Sequence, residues 1–329
     1  MDSSKWSFIF PGQGSQEVGM GLFIHETASN QVFKETFQEA EDILKLPIKK
    51  WALLGPAEEL NLTQNTQPIL LTHSMACVRW LKNELKITPA AVAGHSIGEY
   101  AALVTANVIS FSDALKAVRL RGTAMQEAVP VGQGGMTAAL GLTIEQILFL
   151  CSWVEKESGF HPISPANFNC DGQIVLSGSL KALNWLKDHF NPDIFTSNGL
   201  PEAKRAKFIP LTVSAPFHCA MMRPAEEKMR HFFSDITFNN SIIPVIQNYN
   251  ALATTDAKEI KENLIKQVSG SVKWTQSIQE FNKMGFTKFI EAGHGTVLKG
   301  LSKKINPENI VFNMNSMADI EAIKTEAAR

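Results

Sequence analysis

Gly94-His95-Ser96-Ile97-Gly98 sets one serine between two glycines at the spacing Gly-x-Ser-x-Gly. A free serine hydroxyl is a weak nucleophile at neutral pH and needs a neighbouring base. At a strand-to-helix turn, small residues two before and two after it let the backbone bend sharply. The hydroxyl then stands at the carboxyl end of a sheet. The amide of Ile97 points into the same space from a helix N-terminus, where partial positive charge favours an oxyanion. The plainer reading of these five residues is a helix-capping serine. Their surroundings weigh against it, because "PAAVAG" predicts a strand and "EYAALVTANVI" a helix, the context this motif requires.

Covalent serine chemistry also needs a second oxyanion donor and a base. "PGQGSQ" is a glycine-rich loop leaving the apolar run "WSFIF". Parallel strands end on one shared edge, which brings Gln13 within reach of Ser96. The loop lacks the Gly-Lys-Ser/Thr ending of a nucleotide-binding loop. The chain has eight histidines. His95 adjoins Ser96 around a tight turn, where side chains diverge, so it reads as structural. His25, His73, His161, His189 and His231 read as surface or packing residues. His218 in "TVSAPFHCAMM" and His294 in "EAGHGTVLKG" both lie near strand ends, and spacing leaves both open as the base.

The elements that must position these residues follow from pattern. "TQPILLTHSMACVRWLKNEL" keeps apolar residues at helical spacing after a proline and predicts a buried helix; "HETASNQVFKETFQEAEDIL" predicts another. "SDALKAVRLRGTAMQEAV" predicts a helix with Ser112 as N-cap. After "PVGQGG" the order becomes strand "MTAALGL", helix "TIEQILFLCSWVEKES", strands "ISPANFN" and "GQIVLSG", helix "SLKALNWLKDHF" and strand "AKFIPLTV". This β-α-β-β-α-β order is that of a ferredoxin-like unit. "IPVIQNYNA" and "KFIEAG" then predict strands, and "AKEIKENLIKQV" and "TQSIQEFNKMG" helices. The expected fold is α/β: a large domain with a mainly parallel sheet, residues 1–133 and 213–329, interrupted by a ferredoxin-like subdomain at 134–212.

With 329 residues, 44% hydrophobic and 19% charged, the chain can bury a substantial core. A net charge of −1 gives no global field for nucleic acid. No apolar run approaches the ~20 residues of a membrane span, and the N-terminus lacks the pattern of a signal peptide. The four cysteines, Cys77, Cys151, Cys170 and Cys219, form no CxxC pair. That excludes a zinc ribbon, predicts no metal site, and fits a reducing cytoplasm.

Six segments taken together carry a further signal: "FIFPGQGSQEVGMG", "GPAEELNLTQNTQPILLTHSMA", "AGHSIGEYAALVTANVISFSDALKAVRLRGTAMQEAVPVGQGGM", "NFNCDGQIVLSG", "SAPFHCAMM" and "EAGHGTVLKGLSKKI". They run nearly end to end, and in order they resemble the malonyl-CoA:acyl carrier protein transacylases of bacterial fatty acid synthesis. The resemblance implies an α/β-hydrolase-like domain with a ferredoxin-like insert. It implies Ser96 as nucleophile, His218 as base, the amides of Gln13 and Ile97 as oxyanion hole, and Arg121 as ligand of the free malonyl carboxylate. It further implies that a carbonyl at Gln267 orients the histidine, that Asn169 and Gln173 flank the pocket, and that Phe217 crowds α-substituted acyl groups. Two departures stand out: "VSGSV" follows Gln267, and His294 stands where the family often has proline. With the base assigned to His218, His294 becomes a strand-end loop residue.

The implied reaction moves malonyl from coenzyme A to the phosphopantetheine thiol of acyl carrier protein. It has no resident cofactor and no nucleic-acid or membrane partner. Alternatives are a malonyl transferase serving a polyketide synthase and a serine thioesterase. Carrier proteins are acidic, so docking would fall to local basic groups: Lys204, Arg205 and Lys207, then Arg223, and Lys299, Lys303 and Lys304.

Overall fold

The structure is a computed structural model that describes residues 6–25, 31–203 and 205–328. Residues 26–30 of the predicted helix "HETASNQVFKETFQEAEDIL", and Lys204 of the basic cluster, lie outside the described residues.

The chain opens with β1 (Ser7–Phe10), fully buried, and reaches β2 (Ala91–Gly94) after a helical excursion. It then builds β3 (Gly134–Leu140), β4 (Ile163–Cys170), β5 (Gln173–Ser179) and β6 (Lys207–Pro210). It returns through β7 (Val245–Ile246), β8 (Ala253–Thr254), β9 (Lys288–Glu291) and β10 (Ile310–Phe312). One sheet has the order β10-β9-β1-β2-β7-β8, parallel except for the β7–β8 pair. The other, β4-β5-β3-β6, is antiparallel throughout. Helices Ile144–Ser158 and Leu180–His189 pack on the second sheet through their own apolar cluster. The architecture is the α/β fold with a ferredoxin-like unit that the element order predicts. The segment at Val272 bridges to β4, its carbonyl accepting from the Phe168 N–H at 2.9 Å and its N–H donating to the Ala166 carbonyl at 2.8 Å.

β1 and β2 are buried on both faces, as parallel strands covered by helices must be. Their carboxyl ends are Phe10 and Gly94, paired in register. The loop carrying Gln13 and the turn carrying Ser96 therefore start side by side.

Several boundaries differ from the sequence reading. The helix after Thr63 runs Thr63–Glu84, with Pro68 inside it rather than ahead of it. Proline has no N–H for the Gln64 carbonyl; Arg119 supplies the donor at 2.8 Å. That contact clamps the helix to its neighbour, Phe111–Glu127. The neighbour's N-cap is Ser110, which accepts from the Asp113 amide, not Ser112. The helix after Gly98 stops at Thr105, and Asn107 lies in the left-handed region. β7 holds only two residues because Asn248 leaves the ladder, its amide donating to Glu99 at 3.0 Å.

Candidate active site

Ser96 lies between β2 and the helix Gly98–Thr105, at φ +53°. Such a backbone is rare for a residue with a side chain and is held only where the surroundings dictate it. The surroundings here are crowded. A Cβ on Gly94 would sit 1.9 Å from the Gly98 carbonyl carbon, and one on Gly98 would sit 2.3 Å from the Phe10 oxygen. Only glycine fits at either position, so this turn is an elbow and not an ordinary capped helix start.

The elbow is braced by Asn248. Its side chain accepts from the Ser96 amide at 2.7 Å and donates to the Gly94 carbonyl at 2.7 Å. The amides of Gln13 and Ile97, both lining the pocket in front of Ser96, donate to no acceptor among the described residues. Two unspent donors beside the Ser96 hydroxyl can receive a developing oxyanion. The Gln13 side chain is occupied elsewhere, donating to Thr63 at 3.2 Å.

His218 also has a left-handed backbone, φ +59°. Its Nε2 lies 2.7 Å from Ser96 Oγ. Its Nδ1 faces two backbone carbonyls, Gln267 at 2.9 Å and Gly270 at 3.1 Å. Carbonyls only accept, so Nδ1 carries the proton and Nε2 is left as the acceptor for the serine hydrogen. Burial, reinforced by the Arg121 charge, pushes the imidazole down to about 3, against the pull of the two carbonyls. At neutral pH it is free base.

Arg121 is 1% exposed on the helix Phe111–Glu127, with all its hydrogen-bond partners neutral. It donates to Gln67 at 2.9 Å, to Gln267 Oε1 at 3.0 Å and to Ser96 Oγ at 3.1 Å. Nε has no acceptor among the described residues. A buried cation with neutral partners and spare donors can receive an anion. Met125, Met136, Leu211, Val213 and Phe217 form the rest of the wall, closing a cavity of about 120 Å³ around the serine.

Other expected residues fall elsewhere. His294 lies on the loop after β9, 3.4 Å from Glu17 and in edge contact with His73, away from the pocket wall. Asn169 does not line the cavity; it bonds the His95 ring at 2.9 Å, and His95 in turn packs near Trp274. Asn167 lines it instead, because register shifts in β4 turn the strand on either side of that residue. Gln173, at the start of β5, is outside the lining and accepts from Lys304 at 3.3 Å.

Gln67, Asn248 and Glu99 also escaped the sequence reading. Glu99 is fully buried in the first turn after the elbow. It accepts from Gln267 Nε2 at 2.8 Å and from the Asn248 amide at 3.0 Å. Burial raises its carboxyl to about 7 against those hydrogen bonds. The available signal was a charged residue opening the apolar run "EYAALV".

Residues 7–318 match the family model described as acyl transferase domain. A curated relative from Bacillus subtilis, a malonyl CoA-acyl carrier protein transacylase, is 43% identical over 303 residues, 92% of this chain and 91% of that one. This chain belongs to the malonyl-CoA–acyl carrier protein transacylase family. An acyl carrier protein S-malonyltransferase structure from Vibrio cholerae superposes on this transacylase with a TM-score of 0.88 at 40% identity, covering 97% of this chain and all of the other. A malonyl-transacylase solved in complex with its type II PKS acyl-carrier protein superposes equally well, TM-score 0.88 at 37% identity, over 98% and 100% of the two chains. The transacylase thus holds two unspent backbone amides, a serine–histidine contact and a buried arginine in a single pocket.

Proposed function

We propose that the enzyme moves malonyl from malonyl-CoA to the phosphopantetheine thiol of acyl carrier protein through a malonyl-Ser96 ester. The observation that carries this reading is the convergence of Arg121 and His218 on Ser96 Oγ, at 3.1 and 2.7 Å. The hydroxyl oxygen accepts from the guanidinium, so its own hydrogen points at Nε2. As Oγ attacks the thioester carbonyl, that proton passes to His218. The carbonyl oxygen takes up charge between the amides of Gln13 and Ile97, each such donor being worth roughly 3 kcal/mol. Coenzyme A leaves as the thiol, taking the proton back. The carrier thiol then gives its proton to His218 and attacks the ester, and the departing Ser96 oxygen takes that proton back from His218, which restores the hydroxyl and the free base.

The far end of the acyl group needs Arg121. A malonyl carboxylate reaching the guanidinium takes over the donor now spent on Ser96 and frees Oγ to react. An acetyl group leaves the buried charge with neutral partners. Phe217 and Met136 limit the width available at the α-carbon. A neighbouring cavity of about 270 Å³ shares Met136, Leu211 and Val213 with the active site and runs along β3, β6 and the helix Leu180–His189. It is suited to the pantetheine arm common to both substrates. The insert boundaries of 134–212, a cytoplasmic setting consistent with four unpaired cysteines, and independence of any resident cofactor belong to the same reading.

Transfer of labelled malonyl from malonyl-CoA to holo-carrier protein tests it. Label on the carrier thiol, with little free malonate when carrier is omitted, is expected. Rapid release of malonate without carrier would make the protein a thioesterase.

A further inference from the structure

Arg121 has a carboxylate nearby that it does not touch. Gln267 stands between them, accepting from Arg121 Nη2 at 3.0 Å through Oε1 and donating to Glu99 Oε2 at 2.8 Å through Nε2. A primary amide has two orientations of nearly equal shape, and its hydrogen-bond partners decide which one is occupied. Here the Nε2 side meets three acceptors, the Glu99 carboxylate, the Ser96 carbonyl at 3.0 Å and, more distantly, Asn248 Oδ1 at 3.4 Å. Turned over, the amide would set an NH2 group against the guanidinium and an oxygen against all three acceptors. Of those acceptors only Glu99 can carry charge, as it does above its raised value of about 7, and charge-assisted hydrogen bonds are the stronger kind.

Glu99 is itself tightly held. It is fully buried, its Oε2 also receives the Asn248 amide at 3.0 Å, and its Oε1 faces Gln247 Nε2 at 3.4 Å. Gln247 is fixed in turn by accepting from Asn263 at 2.9 Å and donating to Ile260 at 3.1 Å. A buried carboxylate in a mainly apolar helix is costly. None of the proton transfers between Ser96 and His218 uses it.

We propose that Glu99 is a positioning residue for malonyl selectivity: through the Gln267 amide it holds the Arg121 guanidinium aimed into the acyl pocket. The inference rests on reading that pocket as a malonyl site. Glu99 touches no substrate. It keeps Gln267 Oε1 on one side of the guanidinium, while Gln67 holds another. The remaining donors are thereby left to the incoming carboxylate, and the guanidinium cannot swing away when Ser96 Oγ is consumed.

Glu99→Gln tests this with almost no change in volume. The neutral amide either turns its NH2 group toward the Gln267 NH2 or sets it against Gln247 Nε2; both pair donor with donor. The rates of Ser96 acylation by malonyl-CoA and acetyl-CoA are measured for wild type, Glu99→Gln, Arg121→Ala and the double variant. The malonyl-to-acetyl ratio should fall by roughly tenfold or more in Glu99→Gln, the loss expected when one charge-assisted hydrogen bond goes. The second substitution should add nothing to that ratio once Arg121 is alanine. Equal losses with both substrates would overturn the inference, because a merely structural residue slows both alike. A further fall in ratio in the Arg121→Ala background would also overturn it, since Glu99 would then act by another route. Should Glu99→Gln not fold, Glu99→Asp retains the charge but draws it back from Gln267, and the ratio should fall in the same direction. A wild-type enzyme with no malonyl preference would sink the functional reading and this inference with it. Retained preference with an unmoved ratio sinks the inference alone.

Discussion

Arg121 and His218 meet at one oxygen. The guanidinium donates to Ser96 Oγ at 3.1 Å and the imidazole Nε2 stands 2.7 Å from it. A cation that recognises the acyl tail thus also directs the hydrogen of the nucleophile. Recognition and activation are joined at a single atom, and each can be broken separately.

The recognition half rests on Arg121. Arg121→Ala should reduce acylation by malonyl-CoA by about a hundredfold, the effect of losing roughly 3 kcal/mol from a buried ion pair. Acetylation should fall much less. Arg121→Lys should recover only part of the loss, because an ammonium cannot offer the planar pair of donors. Stopped-flow acylation rates with the two thioesters give the comparison. Equal losses would make Arg121 a structural residue.

The activation half has a pH signature. His218 is driven from its ordinary 6.5 to about 3, chiefly by burial and then by the Arg121 charge. In the folded enzyme it is therefore free base across the neutral and mildly acidic range. Acylation by acetyl-CoA, which does not call on the guanidinium, should show no half-loss near pH 6.5. The same depression works against stability in acid. The unfolded chain takes up the His218 proton as pH falls below 6.5 while the folded chain does not, so this contribution is present above pH 6.5 and is lost as pH falls toward 3. A rate profile halving at 6.5 would mean that the imidazole is solvated and unperturbed.

The elbow predicts a folding defect distinct from a catalytic one. Gly94→Ala pushes a methyl group against the Gly98 carbonyl carbon at 1.9 Å, with backbone on both sides. The expected cost is roughly 3 kcal/mol or more, at the severe end for single substitutions, visible as a lowered unfolding midpoint. A wild-type midpoint would show that the turn can open without penalty.

Much of this was legible in order and type, less in contact. Gly94, Ser96 and Gly98 announce the elbow because its constraint is local: two Cβ atoms must be absent within five residues. The antiparallel unit was legible because alternation and turns recur within one segment. His218 and His294 could not be separated by spacing, since both follow strands. Only the third dimension sends one to Ser96 and the other to Glu17. Asn248 and Glu99 were missed because each acts through partners some 150 positions apart in sequence, as the Glu99–Gln247 and Ser96–Asn248 separations show. Asn169 changed places with Asn167 because a shift of register, invisible in composition, decides which asparagine lines the cavity.

Docking of the carrier protein should depend on exposed charge away from the chemistry. Arg205, Lys207, Arg223, Lys299, Lys303 and Lys304 are all exposed. Lys303→Glu with Lys304→Glu should weaken transfer to holo-carrier and make it less sensitive to salt, because exposed charges act mainly on encounter. Formation of the malonyl ester should be nearly unaffected. A parallel fall in both half-reactions would move the docking site elsewhere.

The chemistry turns on the malonyl-Ser96 ester. Enzyme mixed with malonyl-CoA, without carrier protein, is quenched in acid and read by intact mass and peptide mapping. One malonyl group per chain is expected, on the peptide bearing Ser96, absent in Ser96→Ala and much slower to form in His218→Ala. Adduct formation undiminished in Ser96→Ala, or a label on any other residue, would contradict the account.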